Sequence, residues 1–144
     1  MARLIEDDAG LSALVNGLKR VAVLGIKTDA HRHQPAYSVP EYMQRVGIEV
    51  VPVPVYYPDA TEILGAKVYR TILAIPGELD LVDVFRRPQD IDQHVDDIIA
   101  KHPKAVWFQL GIRNDAAAKR LVDAGIDVAQ DRCLLVDHSR YASK

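Results

Sequence analysis

Short apolar runs recur along the chain in two lengths and two spacings. Residues 21–24 (VAVL) are too few and too β-branched for a helix and read as a buried strand, and Gly25 follows where the chain turns sharply. From Pro35, a residue suited to the first helical position, Val39, Tyr42, Met43 and Val46 recur at helical spacing until Gly47 ends the run. Residues 48–53 are then a second buried strand. Strand, turn, helix and strand make one βαβ unit, and the alternation returns downstream. Residues 80–85 (DLVDVF) read as a strand, Ile91, Val95, Ile98 and Ile99 as the stripe of a helix, and residues 104–108 (KAVWF) as a further strand. Asn114 caps a helix that carries Ala118, Leu121 and Val122 and stops at Gly125; residues 126–130 (IDVAQ) form the last clear strand. A helix over residues 11–19, capped by Asp7 or Asp8, precedes the first strand. Between the second strand and Asp80, prolines and a glycine break up any long element, leaving a short strand at residues 66–69 and one helical turn at residues 71–75. Strands apolar on both faces and separated by helices imply an α/β fold, a parallel sheet with helices on each side.

In such sheets a ligand lies beyond the carboxyl ends of the strands, near the point where strand order reverses. That rule selects residues 25–34, 86–89 and 109–114. The first of these loops sits over a helix N-terminus, whose unpaired N–H groups and positive dipole end favour an anion. Lys27 and Arg32, with His31 and His33 beside them, add positive charge, and Arg86 and Arg87 face the same crevice from the next loop. A phosphate group is the expected ligand. The competing reading places Arg86 and Arg87 in solvent at a helix start. Residues 26–34 are polar and offer no apolar anchor, so this loop is expected to be mobile until a ligand arrives.

With 144 residues the chain has room for one ordinary domain, residues 1–144. Hydrophobic residues at 49% and charged residues at 26% indicate a globular chain, and a net charge of -2 argues against nucleic acid as a partner. No apolar run approaches the roughly 20 residues that cross a bilayer, and a single cysteine, Cys133, leaves no internal disulfide. A cytoplasmic location is the expectation.

An NAD(P) site would need G-x-G-x-x-G and an acidic residue at the end of the second strand, whereas this chain has Gly25 alone and reads VPVPV over residues 51–55. No P-loop motif is present either. Taken together, VAVLG, PAYSVPEYM, VVPVPV, LVDVFRRP, VWFQLGIRN and DRCLLVDH resemble the small CoA-binding proteins, whose single domain is similar to the CoA-binding domain of the succinyl-CoA synthetase alpha subunit. The resemblance spans roughly residues 21–138. It implies a Rossmann-like, doubly wound, three-layer sheet of strand order 3-2-1-4-5-6, with coenzyme A or an acyl-CoA as ligand. By position it places Gly25, Ile26, Lys27, Thr28, Arg32 and Tyr37 on the first phosphate loop, Phe85 and Arg86 on the fourth-strand loop, and Phe108, Gln109 and Gly111 on the fifth-strand loop. Two positions depart from the family pattern: Lys27 stands where many relatives carry serine, and Pro54 where they often carry asparagine.

The ligase relatives transfer phosphate through a histidine in a segment beyond this domain, so that chemistry is not expected here. Cys133 with His138 is read as a small buried residue and a bystander rather than nucleophile and base, and His31-x-His33 has no third metal ligand at useful spacing. Asp131 and Arg132 are expected to pair and fix the last loop. Two classes of function stand: a CoA-binding module without catalysis, alone or with a protein partner or second copy, and an NAD(P)-dependent oxidoreductase or redox regulator on the same fold.

Overall fold

The computed structural model describes residues 1–143. In chain order the elements are α1 (Asp8–Asn16), β1 (Arg20–Leu24), α2 (Pro35–Arg45), β2 (Glu49–Val53), β3 (Glu62–Ile63), β4 (Ala66–Lys67), β5 (Leu81–Val84), α3 (Asp92–Lys101), β6 (Ala105–Phe108), α4 (Asp115–Asp123), β7 (Asp127–Ala129) and α5 (Leu134–Tyr141). Five strands form one parallel sheet in the order β2-β1-β5-β6-β7. The order reverses between β1 and β5, which places the crevice at their carboxyl ends. Among the described residues no strand pairs with the outer edge of β2. The segment after β4 takes that place with a single bond from the Tyr69 N–H to the Pro52 carbonyl at 3.0 Å. Proline is tolerated in β2 because the strand lies at the edge, where a missing N–H breaks no ladder. At the opposite edge Leu4 bridges to Val128, and the Ile5 N–H donates to the Val128 carbonyl, so the N-terminus covers β7.

The strands of the five-stranded sheet bury both faces, as their mostly apolar runs require. On one face Ala22, Leu24, Val82, Val84, Val106 and Phe108 pack against Val95 and Ile98 of α3 and Leu121 of α4. On the other Val21, Val23, Leu81 and Trp107 meet α1 through Leu11 and Val15, α2 through Val39 and Met43, and α5 through Leu134. The result is the three-layer, Rossmann-like α/β arrangement. Two local expectations are corrected. Residues 71–75 are bends and turns rather than a helical turn, with one bond from Ile75 N–H to the Ile72 carbonyl. Asp7 holds the N-cap position of α1, yet its carboxylate pairs with Arg3 at 2.9 Å instead of capping the helix.

Asn114 caps α4 as its side chain predicts, Oδ1 accepting from the Ala117 N–H at 2.9 Å, while Nδ2 donates to the Pro88 carbonyl at 2.9 Å. One amide thus ties the start of α4 to the loop after β5. Asn114→Ala is expected to cost about 1 kcal/mol, the usual loss of a polar N-cap. A shift of the urea unfolding midpoint checks it, and an unchanged midpoint would show the cap to be idle.

Candidate functional site

The loop after β1 owes its shape to Gly25. Its φ is +89°, and a Cβ there would lie 2.4 Å from the Phe85 carbonyl oxygen. Two strand ends therefore meet backbone to backbone, joined by the Phe85 N–H donating to the Leu24 carbonyl at 2.9 Å. Ile26, next in the chain, is buried at 1% exposure, and the Lys27 N–H donates to the Ala36 carbonyl at 3.1 Å. The loop thus has an apolar anchor at its start and a backbone bond that ties its start to its end, which corrects the expectation that it has no apolar anchor. Its polar side chains bond mainly within the loop: Lys27 Nζ donates to Gln34 Oε1, and Gln34 Nε2 meets His31 Nδ1 at 3.3 Å. Thr28 precedes a 3-10 turn, Asp29–His31, and the Arg32 Nε donates to the Asp29 carbonyl at 3.5 Å. Of the charges expected to converge, those of Lys27 and Arg32 thus bond inside the loop.

Beside this loop a cleft of about 470 Å³ opens at the carboxyl ends of β5 and β6. Pro35 and Ala36, at the N-terminus of α2, form one wall; Phe85 and Arg86 form another; Gln109, Leu110, Gly111 and Ile112 form the third. The cleft is apolar apart from its arginines and Gln109, and Leu110 stands exposed at its rim. Gln109 is itself buried and fixed, Oε1 accepting from the Leu134 N–H at 3.1 Å and so satisfying the start of α5. The Gly111 N–H donates to Asp131 Oδ1 at 2.7 Å. Asp131 therefore fixes the loop after β6, and the expected pairing with Arg132 is replaced by one in which that guanidinium holds Asp137 at 2.6 Å across the start of α5.

The two adjacent arginines diverge. Arg87 is 72% exposed and bound to Asp90 at 2.7 Å, as the solvated reading has it. The Arg86 side chain is 9% exposed and lines the cleft. Its Nε donates to His94 Nε2 of α3 at 3.3 Å, and its guanidinium lies 5.9 Å from the centre of the Tyr56 ring. Burial first, and then the charge of Arg86, holds the His94 pKa below the usual histidine range, so the imidazole is neutral at pH 7. His94 and Tyr56 gave no signal in the sequence. One sits among polar residues of a helix, the other two places past the Pro54 that removes the expected polar contact at the end of β2.

Of the residues placed here by resemblance, Phe85, Arg86, Gln109 and Gly111 line the cleft together. Gly25 shapes it from below. Phe108 is wholly buried, and Tyr37 and Ile26 are buried too, so these side chains support the site from within the core. Cys133 also lines the cleft, whereas His138 is bonded through Nδ1 to the Tyr42 hydroxyl at 3.0 Å.

Residues 19–139 match the family described as a CoA binding domain. The uncharacterized protein YneT of Bacillus subtilis (strain 168) is 30% identical over 131 residues, covering 91% of this chain and 93% of that one. Among solved structures, the cell-free ID.343 protein of Thermus thermophilus is 36% identical with a TM-score of 0.86, covering 94% of this chain and 99% of that one. The Ca. Korarchaeum cryptofilum acetyl-coenzyme A synthetase 1 shares the fold at 20% identity and a TM-score of 0.67, the match covering 82% of this chain and 27% of the synthetase.

Proposed function

The chain belongs to the CoA binding domain family, and from that premise we propose that it binds coenzyme A or an acyl-CoA, without catalysis of its own, in the cleft at the carboxyl ends of β5 and β6. The observation that carries the reading is Arg86: a guanidinium nine-tenths buried in the wall of an otherwise mostly apolar cleft. A buried cation there suits an anionic group, and the N-terminus of α2 across the cleft adds the same preference through its dipole. The pyrophosphate rests against Arg86 and the loop of Gly25 to Thr28. The pantetheine arm lies along Phe85, Leu110 and Ile112, which present apolar surface to its methylene and dimethyl groups. The protein works in the cytoplasm, as one binding module, alone or with a partner that supplies chemistry.

The oxidoreductase reading finds less support. The crevice has one glycine of the dinucleotide fingerprint, and β2 ends in Val53 with Pro54 directly after it, where that motif has an acidic residue for the ribose hydroxyls. Titration of the purified protein with CoA and with NAD, alongside an Arg86→Ala variant, is the test. CoA at 100 times its dissociation constant should add about 2.7 kcal/mol to stability, visible as a thermal shift, and NAD little or nothing. Arg86→Ala should weaken CoA binding by about 1–3 kcal/mol, the range for a charge-assisted hydrogen bond. Equal shifts with both ligands would contradict the reading, and full affinity in a folded Arg86→Ala variant would move the phosphates away from this arginine.

A further inference from the structure

We propose that His94 is the positioning residue of the anion site, a side chain that orients the Arg86 guanidinium without neutralising it. The inference rests on the CoA reading above. Arg86 is buried, so protein contacts decide where its guanidinium points. The bond that fixes Nε is the one to His94 Nε2 at 3.3 Å, made across the loop from the first turn of α3. The carboxylate nearest in charge pairing, Asp90, lies 4.0 Å from Nη2. That carboxylate is engaged by Arg87, whose Nε is 2.7 Å from the same oxygen. Asp90 is accordingly held below the usual carboxylate range, first by its hydrogen bond to Arg87, with the charge of Arg86 ranking after that of Arg87.

The arrangement separates two jobs that one carboxylate would merge. A glutamate facing Nε would orient the guanidinium equally well, but a close ion pair in a sheltered site leaves little field for a third charge. An alkyl group would preserve the charge but leave a buried N–H without an acceptor, which costs free energy and releases the side chain to seek another partner. A neutral imidazole accepts the hydrogen bond and adds no charge. Tyr56 complements it from the other side, since the face of its ring attracts the cation while lacking a formal charge. Arg86 is therefore held at Nε and at its face by neutral groups, and with Asp90 at 4.0 Å committed to Arg87, its positive charge is left available to an anion entering the cleft.

The experiment titrates CoA into wild-type protein and into His94→Gln, His94→Glu and His94→Leu, with the unfolding midpoint of each unliganded variant as a control on folding. Gln and Glu share shape and differ in charge, so their comparison survives even if the leucine variant folds poorly. Gln, a neutral acceptor, should bind CoA within about twofold of wild type, whereas Leu and Glu should weaken it about tenfold or more. The fall of CoA affinity with rising salt should be as steep in Gln as in wild type and shallower in Glu, where Arg86 is already neutralised. A purely structural role for His94 would move the midpoints without separating Gln from Glu in affinity or salt dependence. Equal CoA affinities for Gln and Glu overturn the inference. Failure of the wild-type protein to bind CoA at all overturns the reading of the cleft itself.

Discussion

Gly25→Ala is expected to lower the unfolding midpoint by about 5–15 °C, the consequence of a loss of about 2–4 kcal/mol. Two separate costs add. A φ of +89° disfavours any side chain, and the new Cβ would sit 2.4 Å from the Phe85 carbonyl oxygen and 3.1 Å from its carbon. Both atoms are backbone, so they yield only if the ends of β1 and β5 separate. That separation would strain the bond from Phe85 N–H to the Leu24 carbonyl and displace Arg86, whose Cδ lies 3.4 Å from the same position. CoA affinity should therefore fall together with stability. Gly47→Ala supplies the comparison: its φ is +92°, but a Cβ there meets nothing within 4 Å. It should show the backbone cost alone, about 1 kcal/mol. Equal midpoints for the two variants would show that the close approach of the two strand ends carries no weight.

Gly25 also marks how far the sequence could be read. A glycine directly after an apolar strand announces a tight turn, and strand-turn-helix alternation announces a parallel sheet, because both follow from local sterics and from burial on two faces. The order of the strands came from the family resemblance instead, and the sheet follows it from β2 through β7, with the segment after β4 bonded once to the edge of β2. What the sequence could not separate was charge from charge. Lys27, Arg32, Arg86 and Arg87 read alike as cations on loops at one end of the sheet. Their difference lies in burial and in partners: Lys27 held by Gln34, Arg87 by Asp90, and Arg86 enclosed with a neutral acceptor. Those partners are side chains three to eight positions away whose orientation depends on tertiary packing, and no periodicity encodes it. Family position likewise could not tell a lining side chain from a supporting one, and Phe108 is a core residue whose backbone carbonyl, not its ring, faces the last loop through a 3.4 Å bond from the Arg132 N–H.

The strongest pH dependence should come from a residue that the apolar run of β5 conceals. Asp83 interrupts the run Leu81–Val84 on a central strand, in register with Val23 of β1 and Trp107 of β6. It is 1% exposed, and neither of its carboxylate oxygens has a hydrogen-bond partner among the described residues. Trp107, its neighbour in register, gives its indole N–H to the Arg132 carbonyl instead, at 2.8 Å. Burial without a partner disfavours the charged form, so the Asp83 pKa is raised well above its usual 3.8 and the carboxyl is held as the neutral acid. The folded state then binds a proton that the unfolded chain releases near pH 4, and above that pH each unit costs the folded state about 1.4 kcal/mol until the raised pKa is reached. The contribution is thus fully present in acid and lost as pH rises, the opposite of an ordinary salt-bridged aspartate. Asp83→Asn keeps the shape and abolishes the titration. Urea unfolding of both proteins from about pH 4.5 upward should show the variant gaining on the wild type by about 1.4 kcal/mol per pH unit until the raised Asp83 pKa is passed, each unit being an appreciable share of the roughly 5–15 kcal/mol that holds a domain together. All other titrating groups are common to the two proteins and cancel in the difference. A difference that stays flat with pH would mean that Asp83 is charged in the fold, with a partner supplied by bound solvent, and its burial on β5 would then carry none of the pH dependence assigned to it.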